Sequence, residues 1–179
     1  MKILLFQHHA EDPLSWAIKQ VTREPYVHAA VLVDESKNEI IEAYFPHVRR
    51  RTLADSELSG IDVFAVTGIT PAQEQAVVDY CGGCVTTGES YSIANLFRFL
   101  PVARDLIGEG TDAGPQSSVF CSQFAFDAVH RGGGIQLLNA HSYEIAPGYL
   151  AWSPLLTQVA ALKPVPAAPA IGGGAAVGA

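Results

Sequence analysis

An α+β fold, an antiparallel β-sheet packed against helices, is predicted by three features of the sequence. Two short β-rich runs, Tyr26 to Val33 and Glu39 to Phe45, flank Asp34-Glu35-Ser36-Lys37-Asn38, a polar loop of hairpin length. Thr70-Pro71-Ala72-Gln73 carries a Thr-x-x-Gln capping box with proline at the first helical position, which opens a helix. Phe124, Ala125, Ala128 and Val129 form an apolar stripe at helical spacing inside a further segment, Phe120 to Arg131, which Gly132 to Gly134 end.

The other elements follow in chain order. Ile3 to Gln7 reads as a short strand. Leu14 to Val21 reads as a helix, with Asp12 as its cap, Pro13 in the first turn, and Leu14, Ala17, Ile18 and Val21 on one face. After the hairpin, Arg49-Arg50-Arg51 reads as a solvated turn, and Ile61 to Val66 as a strand. The helix opened at Thr70 is expected to run to about Cys81, where Gly82-Gly83 stop it. Ser90 to Leu100 looks helical, and Gly108 to Ser118 is a loop. Residues 1–163 form one folding unit, and the uncharged Pro-, Ala- and Gly-rich segment 164–179 reads as a flexible tail.

The 179 residues suffice for one domain with its own core. Hydrophobic residues make up 49% and charged residues 16%, which excludes the disordered class. Eleven Lys+Arg against eighteen Asp+Glu give a net charge of −7, which argues against a nucleic acid partner. Three cysteines are too few for a disulfide scaffold and fit a reducing compartment. The apolar run Ile3 to Phe6 is shorter than the roughly 7–15 residues of a signal-peptide core. No uninterrupted apolar stretch reaches the ~18 residues of a membrane span. A soluble, cytoplasmic protein with no stable membrane insertion is expected.

Position separates the three cysteines. The thiolate is the reactive form, and the partial positive charge of a helix N-terminus favours it. Cys121 falls in the first turn of its helix, behind Ser117-Ser118 as candidate caps, which is where a nucleophile belongs. Its plainer reading is a small buried hydrophobe on the apolar stripe. Cys81 and Cys84 form a lone Cys-x-x-Cys that closes a helix instead of opening one, and no second pair of ligands accompanies it. Neither a metal site nor a redox dithiol is expected there.

A cysteine nucleophile needs a base and a group that orients it. His28 and Glu42 meet this requirement on the hairpin. If paired residue numbers sum to 70 the two are directly opposite; at 72 they are diagonal neighbours about 7–8 Å apart, on the same face. A slip of one residue would separate them. Both are flanked by apolar residues, Val27 and Ala29 to Val33 around the histidine and Ile40, Ile41, Ala43 and Tyr44 around the glutamate. An ionisable residue in such a run needs a partner or a function, although a shared solvated face is the plainer alternative. His8, His9, His47, His130 and His141 need only surface roles.

These segments resemble a known family. Tyr26-Val27-His28-Ala29-Ala30-Val31-Leu32-Val33, Glu39-Ile40-Ile41-Glu42-Ala43 and Phe120-Cys121-Ser122-Gln123-Phe124 are similar to the motifs of the circularly permuted, NlpC-type branch of the papain-like cysteine hydrolases, which is related to the lecithin retinol acyltransferase-like proteins. The order of histidine, polar residue and cysteine is that of the permuted branch. Val48-Arg49, Glu89-Ser90-Tyr91 and Pro147-Gly148-Tyr149-Leu150 support the likeness, which spans roughly residues 1–160.

The resemblance implies a permuted papain-like fold with Cys121 as nucleophile, His28 as general base and then acid, and Glu42 as orienter of the imidazole. It further implies an oxyanion site made by the Cys121 backbone N–H, with Tyr91 as second donor. A peptidase or amidase acting on a small peptide-like or acyl substrate follows, with no metal or organic cofactor. Two alternatives stay open: an acyltransferase using the same triad, and an inactive member that binds peptides or lipids.

Overall fold

Lys2–Phe6 (β1) lies inside an eight-stranded sheet, paired antiparallel with His28–Asp34 (β2) on one side and Ile61–Val66 (β5) on the other. Glu39–Tyr44 (β3), His47–Thr52 (β4), Ser90–Tyr91 (β6), Ser118–Val119 (β7) and Leu156–Val159 (β8) complete the spatial order β7-β6-β4-β3-β2-β1-β5-β8. The computed structural model describes residues 1–7, 19, 24–92 and 118–165. All of the expected helix at Leu14 to Val21 except Lys19, most of the segments Ser90 to Leu100 and Gly108 to Ser118, and the tail beyond 165 lie outside these residues. The class is α+β as expected, but the sheet is mixed, because β6 and β7 run parallel.

Both faces of the central strands are covered, which explains their continuous apolar runs. Ile3, Leu5, Ala29, Val31, Ile41 and Ala43 pack with the helices, Pro71–Thr87 (α1) and Cys121–Asp127 (α2), through Val77, Cys81, Phe124 and Ala125. The alternate residues Leu4, Phe6, Ala30, Leu32 and Ile40 form a second cluster with Leu53, Leu58 and Leu162. Asn38 Nδ2 also donates to the Lys163 carbonyl at 2.9 Å, which ties the end of the expected folding unit to the hairpin loop.

Several elements differ from the sequence reading. His47 and the three arginines form strand β4, paired residue for residue with β3, instead of a loop and a solvated turn. Consecutive charges hide the alternation: Arg50 points to the α1 side, where its Nη2 lies 3.9 Å from the position of a Cβ on Gly82, and Arg49 and Arg51 point the other way. Ser90-Tyr91 is strand, not helix.

The Thr70/Gln73 capping box forms, but α1 runs through Gly82-Gly83 to Thr87 and ends at Gly88 in the left-handed conformation, φ +66°. Burial of Val77, Cys81 and Cys84 outweighs the roughly 1 kcal/mol that each helical glycine costs. Cys84 is therefore helical and buried, not in a loop.

Helix α2 continues into a π turn, Ala128–Gly132, against α1. A Cβ on Gly132 would lie 2.9 Å from Val77 Cα and 3.1 Å from the Ala76 carbonyl oxygen, so the helix crossing requires glycine there. Gly132→Ala is expected to lower stability by roughly 1–3 kcal/mol in urea unfolding. Gly83→Ala, with nothing within 4 Å of its Cβ, leaves stability unchanged or raises it by up to about 1 kcal/mol.

Candidate active site

The β2–β3 register decides whether the histidine and the glutamate meet. Val31 pairs with Ile41 and Leu32 with Ile40, sums of 72, so His28 and Glu42 are diagonal neighbours on one face. The irregularity that shifts the register falls after Leu32, near the turn, and leaves the site end in phase. His28 Nε2 and Glu42 Oε2 lie 2.8 Å apart, both side chains buried. The imidazole is also flanked edge-on by Phe6, its partner across β1 and β2, at 5.1 Å, and by Tyr44 at 6.3 Å. Two rings and one carboxylate thus fix its plane.

Cys121 is the first residue of α2 and is buried. Its sulfur lies close enough to the His28 ring to act on its charge, while Nε2 of that ring is committed to Glu42. Three residues from three elements therefore gather here: carboxylate, imidazole and thiol. Burial alone would push the His28 pKa below 6.5. The neighbouring Cys121 sulfur and the Glu42 carboxylate outweigh it and push the pKa up to about 10, so the imidazolium form is favoured.

Of the expected caps, Ser117 lies outside the described residues and Ser118 does not serve α2. Its N-cap is Phe120, in extended conformation, which offers no side-chain acceptor, because Ser118 is held in β7 beside Ser90. Behind the nucleophile, the Ser122 hydroxyl donates to the Ile145 carbonyl at 2.6 Å and anchors the first turn. Tyr91 pairs with Val119, two residues before Cys121, and its backbone N–H donates to the Pro46 carbonyl at 2.8 Å. The structure thus brings Tyr91 into the strand next to the one that delivers the nucleophile.

Glu42 has no exposed surface and is nevertheless charged. Burial favours its neutral form, but the hydrogen bond and charge of His28, followed by those of Arg51, hold the carboxyl far below the usual carboxylate range. Arg49 reaches Oε1 through Nε at 2.9 Å and Nη2 at 2.8 Å, and Arg51 Nε reaches the same oxygen at 2.7 Å. Arg51 Nη1 also binds Glu57 Oε2 at 2.9 Å. Sequence reasoning missed both arginines and Glu57. The available signal was the spacing: a strand closely following Phe45-Pro46 places Arg49 opposite Glu42, and Arg51 two residues on along the same face.

The remaining cysteines stay apart from this site. Both are free thiols in α1, and burial pushes Cys81 up to about 12 and raises Cys84 as well. Among the described residues, no three His, Cys, Asp or Glu side chains gather as a metal-binding set. No helix among them is long and apolar enough to cross a membrane.

Comparison with known proteins finds a likeness of fold. The chain is similar to the crystal structure of the metalloprotein YiiX from Escherichia coli O157:H7, with a TM-score of 0.63 and 16% sequence identity, over 91% of this chain and 97% of the other. No protein-family model matches the sequence, and no curated protein matches it.

Proposed function

We propose that the chain is a cysteine-dependent hydrolase of the peptidase or amidase type on a permuted papain-like fold, acting on a peptide-like or acyl substrate through Cys121, His28 and Glu42. The observation that carries this reading is the buried His28 ring, bound at Nε2 by the Glu42 carboxylate and set beside the sulfur of Cys121, the first residue of a helix. That arrangement sets an imidazole, held by a carboxylate, beside a thiol, the pairing that activates a thiol nucleophile.

In the proposed reaction the Cys121 sulfur attacks the substrate carbonyl carbon, forming a C–S bond as the π electrons move to oxygen. The oxyanion is met by the Cys121 backbone N–H, which has no intrahelical acceptor, with Tyr91 as second donor. His28 gives its proton to the leaving amine or alkoxide as that bond breaks, leaving a thioester. It then takes a proton from water, whose oxygen attacks the thioester carbonyl and releases the acid and the thiolate. Glu42 stays ionised throughout and stabilises the imidazolium. A reducing compartment suits a protein whose three cysteines are all free.

The test is acyl-enzyme formation. With p-nitrophenyl acetate as acyl donor, peptide-level mass spectrometry is expected to show one transient acetyl adduct, on Cys121, and none in Cys121→Ala. Acetylation of Cys81 or Cys84 instead, or no adduct with any acyl donor tried, would remove the basis of the proposal.

A further inference from the structure

We propose that Arg51, anchored at its far end by Glu57, is a positioning residue that fixes which oxygen of Glu42 faces His28, and with it the orientation and protonation of the imidazole. This rests on reading His28 as the base of the site. A glutamate carboxylate turns easily about its last torsion, and its two oxygens are chemically equivalent. Something must therefore hold one oxygen if the other is to present a constant acceptor to the histidine. Arg49 and Arg51 both engage Oε1, which leaves Oε2 to His28 at 2.8 Å.

The two arginines are not equivalent. The Arg49 side chain is 42% exposed, and its guanidinium lies over the Tyr44 ring at 3.8 Å, where solvent weakens its hold. Arg51 is 20% exposed and is gripped from both sides, by Glu42 Oε1 at 2.7 Å and by Glu57 Oε2 at 2.9 Å. Glu57 Oε2 in turn accepts the Ala54 N–H at 2.8 Å at the start of the 3₁₀ turn Asp55–Gly60, so the anchor is itself anchored. A relay runs from backbone through Glu57, Arg51 and Glu42 to His28 and ends at Cys121. Arg51 keeps this geometry although its Nη2 is left buried without a partner among the described residues. The compact head of a lysine could not span both carboxylates in the same fork geometry.

The experiment follows the His28 imidazole by NMR titration in the full chain with Cys121→Ala, which removes the sulfur and leaves Glu42 as the partner that raises the pKa. Adding Arg51→Met or Arg51→Lys is expected to lower the His28 pKa by about one unit or more, a tenfold loss of proton affinity, because Glu42 no longer keeps its oxygen in place. Glu57→Gln should lower it by a smaller step and, with Cys121 present, reduce kcat/KM about tenfold or more. If Arg51→Met raises the pKa, Arg51 acts only as a nearby positive charge, and the proposal fails. If the folded variants leave the pKa unchanged, Arg51 merely supports the sheet, and it fails equally. Should Arg51→Met not fold, Arg51→Lys and Glu57→Gln decide the matter alone. The titration needs no turnover, so an inactive wild-type protein would remove the hydrolase reading without touching this result, and a flat titration in an active enzyme would do the reverse.

Discussion

His28→Ala is expected to reduce ester or amide turnover by roughly 10²–10⁴-fold, the usual contribution of a general acid–base, and to abolish the preferential alkylation of Cys121. In the wild-type protein, iodoacetamide should modify Cys121 well before Cys81 or Cys84. Exposure does not make this difference, since Cys121 is 1% and Cys81 0% exposed. The imidazole makes it: the His28 ring stands beside the Cys121 sulfur, whereas burial among helix and sheet pushes the Cys81 thiol up to about 12. Rates resolved by peptide-level mass spectrometry across pH 5–9, in wild type and His28→Ala, check both parts. Equal reactivity of all three cysteines, or an unchanged Cys121 rate in the variant, would show that the pair does not act as a pair.

The largest effect on stability is expected at Glu42. Glu42→Ala removes the carboxylate that joins His28, Arg49 and Arg51 and leaves their charges buried or half-buried against one another, a loss of about 3–5 kcal/mol. Glu42→Gln keeps the shape and loses less.

The sign of the pH dependence follows from the two shifted groups. Glu42 is held below its unfolded value of 4.5, so its contribution is present above that pH and fades as the pH falls below it. His28 is raised from 6.5 to about 10, so its contribution is complete below pH 6.5 and fades as the pH rises toward 10. Wild-type stability owed to this pair is therefore greatest between about pH 4.5 and 6.5 and falls on both sides. Urea midpoints measured from pH 4 to 10 should show this dome flattened in Glu42→Gln. A wild-type curve flat over that range would contradict the ionised, paired state of both groups.

What the sequence shows of this site is its period-two patterning. An ionisable residue inside each of two apolar runs, joined by a loop of hairpin length, marks His28 and Glu42 as candidates for one face, and the coordinates decide the register that a slip of one residue would have overturned. The capping box of α1 was equally legible, because its two side chains and two backbone groups lie within one turn. Three consecutive arginines conceal alternation, since no hydropathy difference marks which of them point inward, and so β4 was read as a turn. Gly82-Gly83 suggested a helix end because local propensity says nothing of the core that Val77, Cys81 and Cys84 would enter. The parallel pairing of β6 with β7 joins segments distant in sequence through backbone groups, which carry no side-chain signature.

His28, Glu42, Arg49 and Arg51 all belong to the continuous meander β2–β3–β4, whereas Cys121 arrives from a distant segment on a helix that docks against β2 and β3. The base and its charge clamp are thus assembled by short-range contacts, which form early and cheaply in a folding chain, and the nucleophile joins by a long-range one. Docking of α2 against β2 and β3 is what sets the Cys121 sulfur beside the imidazole, so the pair that the proposed reaction needs exists only where that contact is closed.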